Sequence, residues 1–128
     1  MLYSVIQRAN PRDLNAAKKY YAVAHTEKQA DLRMIAERIS RETNFSTAEV
    51  QAAIEAFLLV IPKLLSEGHS VKMGDFGTFS LTLSSQGAET KEEFNASMIK
   101  GANLHFRAGK EFAKVIRNVE FSRKPGSK

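Results

Sequence analysis

A chain of 128 residues, 43% hydrophobic and without cysteine, has room for one cored domain with extensions and cannot use disulfides, thiolate catalysis or cysteine-ligated zinc. No stretch comes near the roughly 18 apolar residues of a membrane span, and the opening MLYSVIQRAN lacks the apolar run of a signal peptide, so the expected setting is the cytoplasm. The formal charge of +5 gathers at the two ends of the chain, over 1–28 and 107–128, which fits a polyanionic partner without requiring one.

The residues Leu2 to Arg8 and Lys19 to His25 are rich in β-branched and aromatic types, and Asn10-Pro11-Arg12-Asp13 between them supplies turn chemistry. Two N-terminal strands are expected, with an alternation around Tyr3, Val5, Tyr20 and Val23. Asp31 then reads as an N-cap for an amphipathic helix whose apolar positions are Leu32, Ile35, Ala36 and Ile39, ending near Thr43-Asn44. Ser46-Thr47-Ala48-Glu49 is a capping box, and Phe45 and Val50 occupy the positions of a hydrophobic staple, so a second helix begins there. Its apolar residues Val50, Ile54, Phe57, Leu58, Ile61, Leu64 and Leu65 cover more than one face, and Gly68 suits the C′ position. A single small subunit has little other material to cover them. Pro62 inside the pattern predicts a kink or a local break.

Beyond Gly68 the period becomes two: Val71-Lys72-Met73, a Gly74-Asp75-Phe76-Gly77 turn, then Phe79, Leu81 and Leu83 alternating with Ser80, Thr82 and Ser84. Residues 85–96 are polar and charged and are expected to form a mobile tip, from which Met98 to Phe106 returns as a long strand. Gly109-Lys110 opens a last helix with Phe112, Val115, Ile116 and Val119 in one stripe and Lys110, Lys114 and Arg117 off it. The last residues, Arg123 to Lys128, fit a disordered basic tail equally well.

Two segments carry a resemblance. The run from Phe57 through Gly68-His69-Ser70-Val71-Lys72-Met73-Gly74-Asp75-Phe76-Gly77-Thr78-Phe79 resembles the helix end and G-F-G-T-F turn of the bacterial histone-like HU/IHF family, with Asp75 where the family has glycine. Phe106-Arg107-Ala108-Gly109-Lys110 resembles that family's F-x-A/P-G-K approach to its final helix. The likeness spans Asp31 to about Phe121, and the leading strands resemble the extended HU-like proteins common in Bacteroidetes. It implies an α+β fold: an intertwined homodimer with two N-terminal helices, a three-stranded antiparallel sheet with a protruding β-arm at about 80–106, and a C-terminal helix. The extra N-terminal β-hairpin occupies 1–28, the HU/IHF-like domain 29–121 and the basic tail 122–128.

The resemblance implies a nucleoid-associated protein that binds double-stranded DNA largely without regard to sequence, with Lys72, Lys100, His105, Arg107, Lys110 and Lys114 on phosphates. It assigns Phe57, Phe76, Phe79 and Phe106 to a core shared by two subunits. Lys110 has a separate argument, because the start of a helix favours an anion. The arm departs from the family pattern: no Arg-Asn-Pro tip is present, and Gln86-Gly87-Ala88-Glu89-Thr90-Lys91-Glu92-Glu93-Phe94 brings three acids and one lysine, which places sharp bending of the duplex in doubt.

Other readings of the same residues are weaker. Gly74-Asp75-Phe76-Gly77 has the spacing of a backbone-clamping GxxG loop, but it joins two strands and Asp75 opposes phosphate. The phenylalanines could stack on bases, although a period-two apolar face assigns them to core. His25, His69 and His105 lack metal-ligand spacing and Glu92-Glu93 has no pocket around it, so no enzyme, cofactor, metal or small-molecule substrate is expected. The competing reading is a structural or protein-interaction module that keeps the fold and has lost DNA binding.

Overall fold

The computed structural model describes residues 1–126; Ser127 and Lys128, the end of the expected tail, lie outside the described residues. In chain order the elements are β1 (Leu2–Arg8), β2 (Lys19–Ala24), α1 (Leu32–Glu42), α2 (Thr47–Ser66), β3 (Val71–Met73), β4 (Gly77–Ser85), β5 (Ile99–Ala108), α3 (Lys110–Arg117) and β6 (Ser122–Arg123). The α+β architecture read from the sequence is the one observed, with one added strand. Two compact units result, Leu32–Ile116 and the pair of segments Met1–Asp31 and Arg117–Lys128.

In the larger unit the best local signal is the start of α2. Ser46 Oγ accepts the Glu49 amide at 3.2 Å while the Glu49 carboxylate accepts the Ser46 amide at 3.0 Å, so two of the helix's orphan donors are satisfied reciprocally. At the other end Gly68 adopts φ 96°, which allows its amide to reach the Leu65 carbonyl and the His69 amide the Leu64 carbonyl, both at 3.1 Å. This pair of bonds closes the helix and frees the chain to turn into β3. Contrary to the break expected at Pro62, α2 runs unbroken through it. The proline removes one backbone bond without ending the helix, and Leu65, one turn beyond it, is buried.

Helix α1 packs on α2, yet only Ala36 of the expected stripe is buried; Ile35 and Ile39 remain exposed. Strands β3, β4 and β5 form an antiparallel sheet in that order. Phe76 donates to the Met73 carbonyl at 3.0 Å to close the turn between β3 and β4, where Gly74 takes φ 52°. Between Ser84 and Ser85 the register slips, leaving Lys100 as an extra residue on β5. The arm tip contains local bonds: the Glu93 amide donates to Thr90 Oγ1, the Phe94 amide to the Lys91 carbonyl, and Asn95 Oδ1 caps a 3-10 turn over Ala96–Met98. Val119, expected on the last helix, lies beyond its end at Arg117.

In the smaller unit β1 and β2 form the expected hairpin, pairing from Tyr3↔Ala24 to Arg8↔Lys19. The connecting segment is set by Asn10, whose Oδ1 accepts the Arg12 amide at 2.9 Å and whose carbonyl accepts the Asp13 amide at 3.2 Å. Val23 lies opposite Ser4, on the other face from Tyr3, Val5 and Tyr20, because three residues separate it from Tyr20 and strand faces alternate in twos. The third strand, β6, was not expected: Ser122 and Arg123 pair parallel with Leu2 and Tyr3. Arg123 is thus in a strand rather than a disordered tail. Two residues carry no periodicity that could announce a strand.

Candidate nucleic-acid interface

Directly opposed residues of an antiparallel sheet share a face. The register Lys72↔Thr78 and Thr78↔Arg107 therefore sets a cation, a hydroxyl and a second cation in one row across all three strands. Two residues further along, His105 opposes Ser80, and the next row pairs Asn103 with Thr82. Asn103 Nδ2 donates to Ser84 Oγ at 2.7 Å, a diagonal contact on this same side. Across β3, β4 and β5 no acidic residue occurs. One face of the sheet is thus all hydrogen-bonding groups and positive charge.

The opposite face is apolar, with Val71, Phe79 and Phe106 in one row and Leu81 against Leu104 in another. Phe79 and Phe106 are 4.7 Å apart between ring centroids, Phe76 and Phe106 5.6 Å, and Phe112 of α3 joins them at 5.2 Å from Phe76. Aromatic pairs at such distances add to their area burial. The cluster anchors α3 to the sheet and so fixes where Lys110 and Lys114 stand. Phe112 was assigned only to a helix stripe from the sequence, and its place in the cluster depends on the tertiary docking of α3.

That docking is made by the two motifs. The Gly109 amide donates to the Phe76 carbonyl at 2.8 Å, and the Glu111 amide to the Asp75 carbonyl at 3.1 Å. The second bond corrects the simple picture of a bare helix start at Lys110, since one of the first-turn donors is already occupied by backbone. What Lys110 offers is its own ammonium group, with Lys114 one turn further along.

The five lysine and arginine residues selected from the sequence, and His105 with them, are exposed. Lys72, His105 and Arg107 share the polar sheet face, Lys100 stands at the bulge, and Lys110 and Lys114 lie on α3. The hydroxyls of Thr78, Ser80 and Thr82 and the amide of Asn103 complete this face and were not singled out from the sequence, although the parity that placed Phe79 and Leu81 inward places them outward. Of the four phenylalanines expected in a shared core, Phe76, Phe79 and Phe106 come together, with Phe76 still exposed; Phe57 lies on α2, outside the ring cluster. The acids Glu89, Glu92 and Glu93 are exposed at the arm tip. Among the described residues no group of side chains could hold a metal ion, and no helix is long and apolar enough to cross a membrane.

Helix pair, three-stranded sheet with a long two-stranded arm, and closing helix define an HU/IHF-like protein. The chain belongs to the HU-HIG family, described as an HU domain fused to a wHTH, Ig, or glycine-rich motif, whose model matches residues 1–123. It is 32% identical over 94 residues to the integration host factor subunit alpha of Actinobacillus succinogenes, covering 72% of this chain and 93% of that protein. Its fold is similar to the crystal structure of a "Putative bacterial DNA binding protein" from Bacteroides vulgatus, with a TM-score of 0.62 at 15% identity over 97% of this chain. The chain spans 50% of the length of that protein. Proteins of the HU/IHF family are non-catalytic, and this chain is accordingly no enzyme.

Proposed function

We propose that this protein is a nucleoid-associated, HU-like homodimer of the extended kind, bound to double-stranded DNA in the bacterial cytoplasm with little sequence preference. The observation that carries the reading is the acid-free sheet face on which Lys72, Thr78 and Arg107 form one row. Cations and hydroxyls on a pleated surface contact phosphate and sugar, and such contacts position a protein without reading bases. Lys110, Lys114 and Lys100 extend the same positive character beyond the face. The polyanion named for a protein of similar fold, the "Putative bacterial DNA binding protein" of Bacteroides vulgatus, is DNA, which supports the same partner here.

Dimerisation follows from what a lone chain leaves uncovered. Only Ala36, Val50, Leu65 and Val71 are buried among the described apolar side chains, while Phe57, Leu58, Leu81, Leu104, Val115 and Ile116 stay exposed. The accessible surface is 11080 Å². Two separate bodies of the same combined mass would expose only about 8,000 Å² by the scaling of folded monomers. The excess, about 3,000 Å² per chain, reaches the upper end of what each subunit of an obligate dimer buries. A concavity of about 370 Å³ beside Phe76, Phe112 and Val115 belongs to this uncovered surface.

A mobility-shift assay with random-sequence duplex at low salt tests the reading. Wild type should bind, and Arg107→Ala with Lys110→Ala should weaken binding to every duplex alike. Full retention of affinity in that double variant would remove the sheet face from the account. An HU-fold interaction module takes its place if no duplex is bound, and the acidic arm tip is the feature that favours this second reading.

A further inference from the structure

A second concentration of positive charge lies in the smaller unit. Arg8 and Lys19 are the last register pair of the β1–β2 hairpin and stand directly opposite each other. Like charges so placed oppose strand pairing. Arg12 and Lys18 follow within the connecting segment, and none of the four has an ion-pair partner among the described residues. The segment's one acid, Asp13, turns its carboxylate to the Asn15 amide at 3.0 Å. A concavity of about 550 Å³ opens here, lined by Arg8, Asn10, Pro11, Ala16, Lys19 and Tyr21 without an acidic residue. Alternation puts Ile6 and Tyr21 on the same hairpin face as Arg8 and Lys19, so an apolar patch with a half-exposed ring borders the two charges.

We infer that this hairpin mouth is a second phosphate-binding site, contacting the phosphodiester backbone of nucleic acid. A guanidinium grips phosphate through two parallel N–H donors and an ammonium adds a point charge beside it. An anion between Arg8 and Lys19 turns their mutual repulsion into attraction, which gives the opposed pair a physical reason. The Tyr21 ring and Ile6 offer the adjoining sugar an apolar surface. The inference rests on the DNA-binding reading and extends it to a unit outside the HU-like sheet.

The test compares full-length wild type with the double variant Arg8→Gln, Lys19→Gln in two measurements. In duplex binding across salt concentrations, the slope of log affinity against log salt should become shallower by about 0.9 for the one phosphate lost at each mouth, or about 1.8 for a dimer with two mouths. In amide NMR, inorganic tripolyphosphate should shift resonances of residues 8–21 in wild type and leave them in place in the variant. The variant's thermal midpoint should equal or exceed that of wild type, because a like-charge pair is removed. An unchanged slope together with no shift at residues 8–21, in a wild type that binds duplex, overturns the inference and leaves the sheet-face reading standing. Tripolyphosphate shifts at the mouth without duplex binding support the anion site and remove the DNA reading. Absence of both effects ends both. Should the variant fail to fold, the wild-type NMR map decides alone.

Discussion

The amide of Gly109 donates to the carbonyl of Phe76 at 2.8 Å, joining the start of α3 to the turn between β3 and β4. A Cβ built on Gly109 overlaps the Asp75 carbonyl, and one on Gly77 comes within 2.6 Å of the Arg107 carbonyl oxygen. The two glycine-bearing motifs are thus two sides of one close backbone contact. Gly109→Ala should lower unfolding free energy by about 2 kcal/mol or more, since backbone rather than a flexible side chain must give way. Denaturant unfolding measures this, and a loss below about 0.5 kcal/mol would show that the contact relaxes freely.

The capping box of α2 gives a smaller and more local expectation. Ser46→Ala removes the acceptor of the Glu49 amide and should cost about 1 kcal/mol, without altering oligomeric state. Unfolding and sedimentation on the same variant separate the two effects.

Leu58 shares the helical stripe of Ile54, Ile61 and Leu65 and is nevertheless 54% exposed. In a monomer, Leu58→Asp would be close to neutral, as most surface substitutions are. Where a partner covers the stripe, the same change buries an unpaired carboxylate. Sedimentation velocity at micromolar concentration should show a wild-type dimer and a dissociated or unfolded variant. A folded wild-type monomer would contradict the intertwined arrangement.

Much of this was legible from sequence because the signals are local. The capping box, the αL glycine after α2 and the strict alternation along β4 each act over a few residues, and each appears where expected. The row Lys72, Thr78, Arg107 needed more: each cation was visible, but their alignment depends on the register of three strands, which only pairing fixes. Strand β6 was invisible for a related reason. Its two residues are held through nonlocal bonds, Ser122 N–H to the Met1 carbonyl at 3.0 Å and Lys124 N–H to the Tyr3 carbonyl at 2.9 Å. Continuity through Pro62 shows the limit of a local penalty, since the loss of one backbone bond does not end a helix of 20 residues.

The arm tip can be probed through its acids. Glu92 and Glu93 are exposed, so replacing both with Gln should leave duplex affinity unchanged or raise it, the gain shrinking once salt shortens the screening length to about 8 Å. A weaker complex would mean that the tip makes a favourable contact that simple repulsion does not describe. Fluorescence anisotropy with labelled random duplex at two salt concentrations resolves the alternatives.

The most direct measurement is the salt dependence of wild-type binding to random-sequence duplex. An engagement of about six phosphates by the dimer predicts a slope near −5 for log affinity against log salt, with similar affinity for unrelated sequences. No detectable binding at low salt, where the electrostatic contribution is largest, would contradict the account and leave the fold as an interaction module.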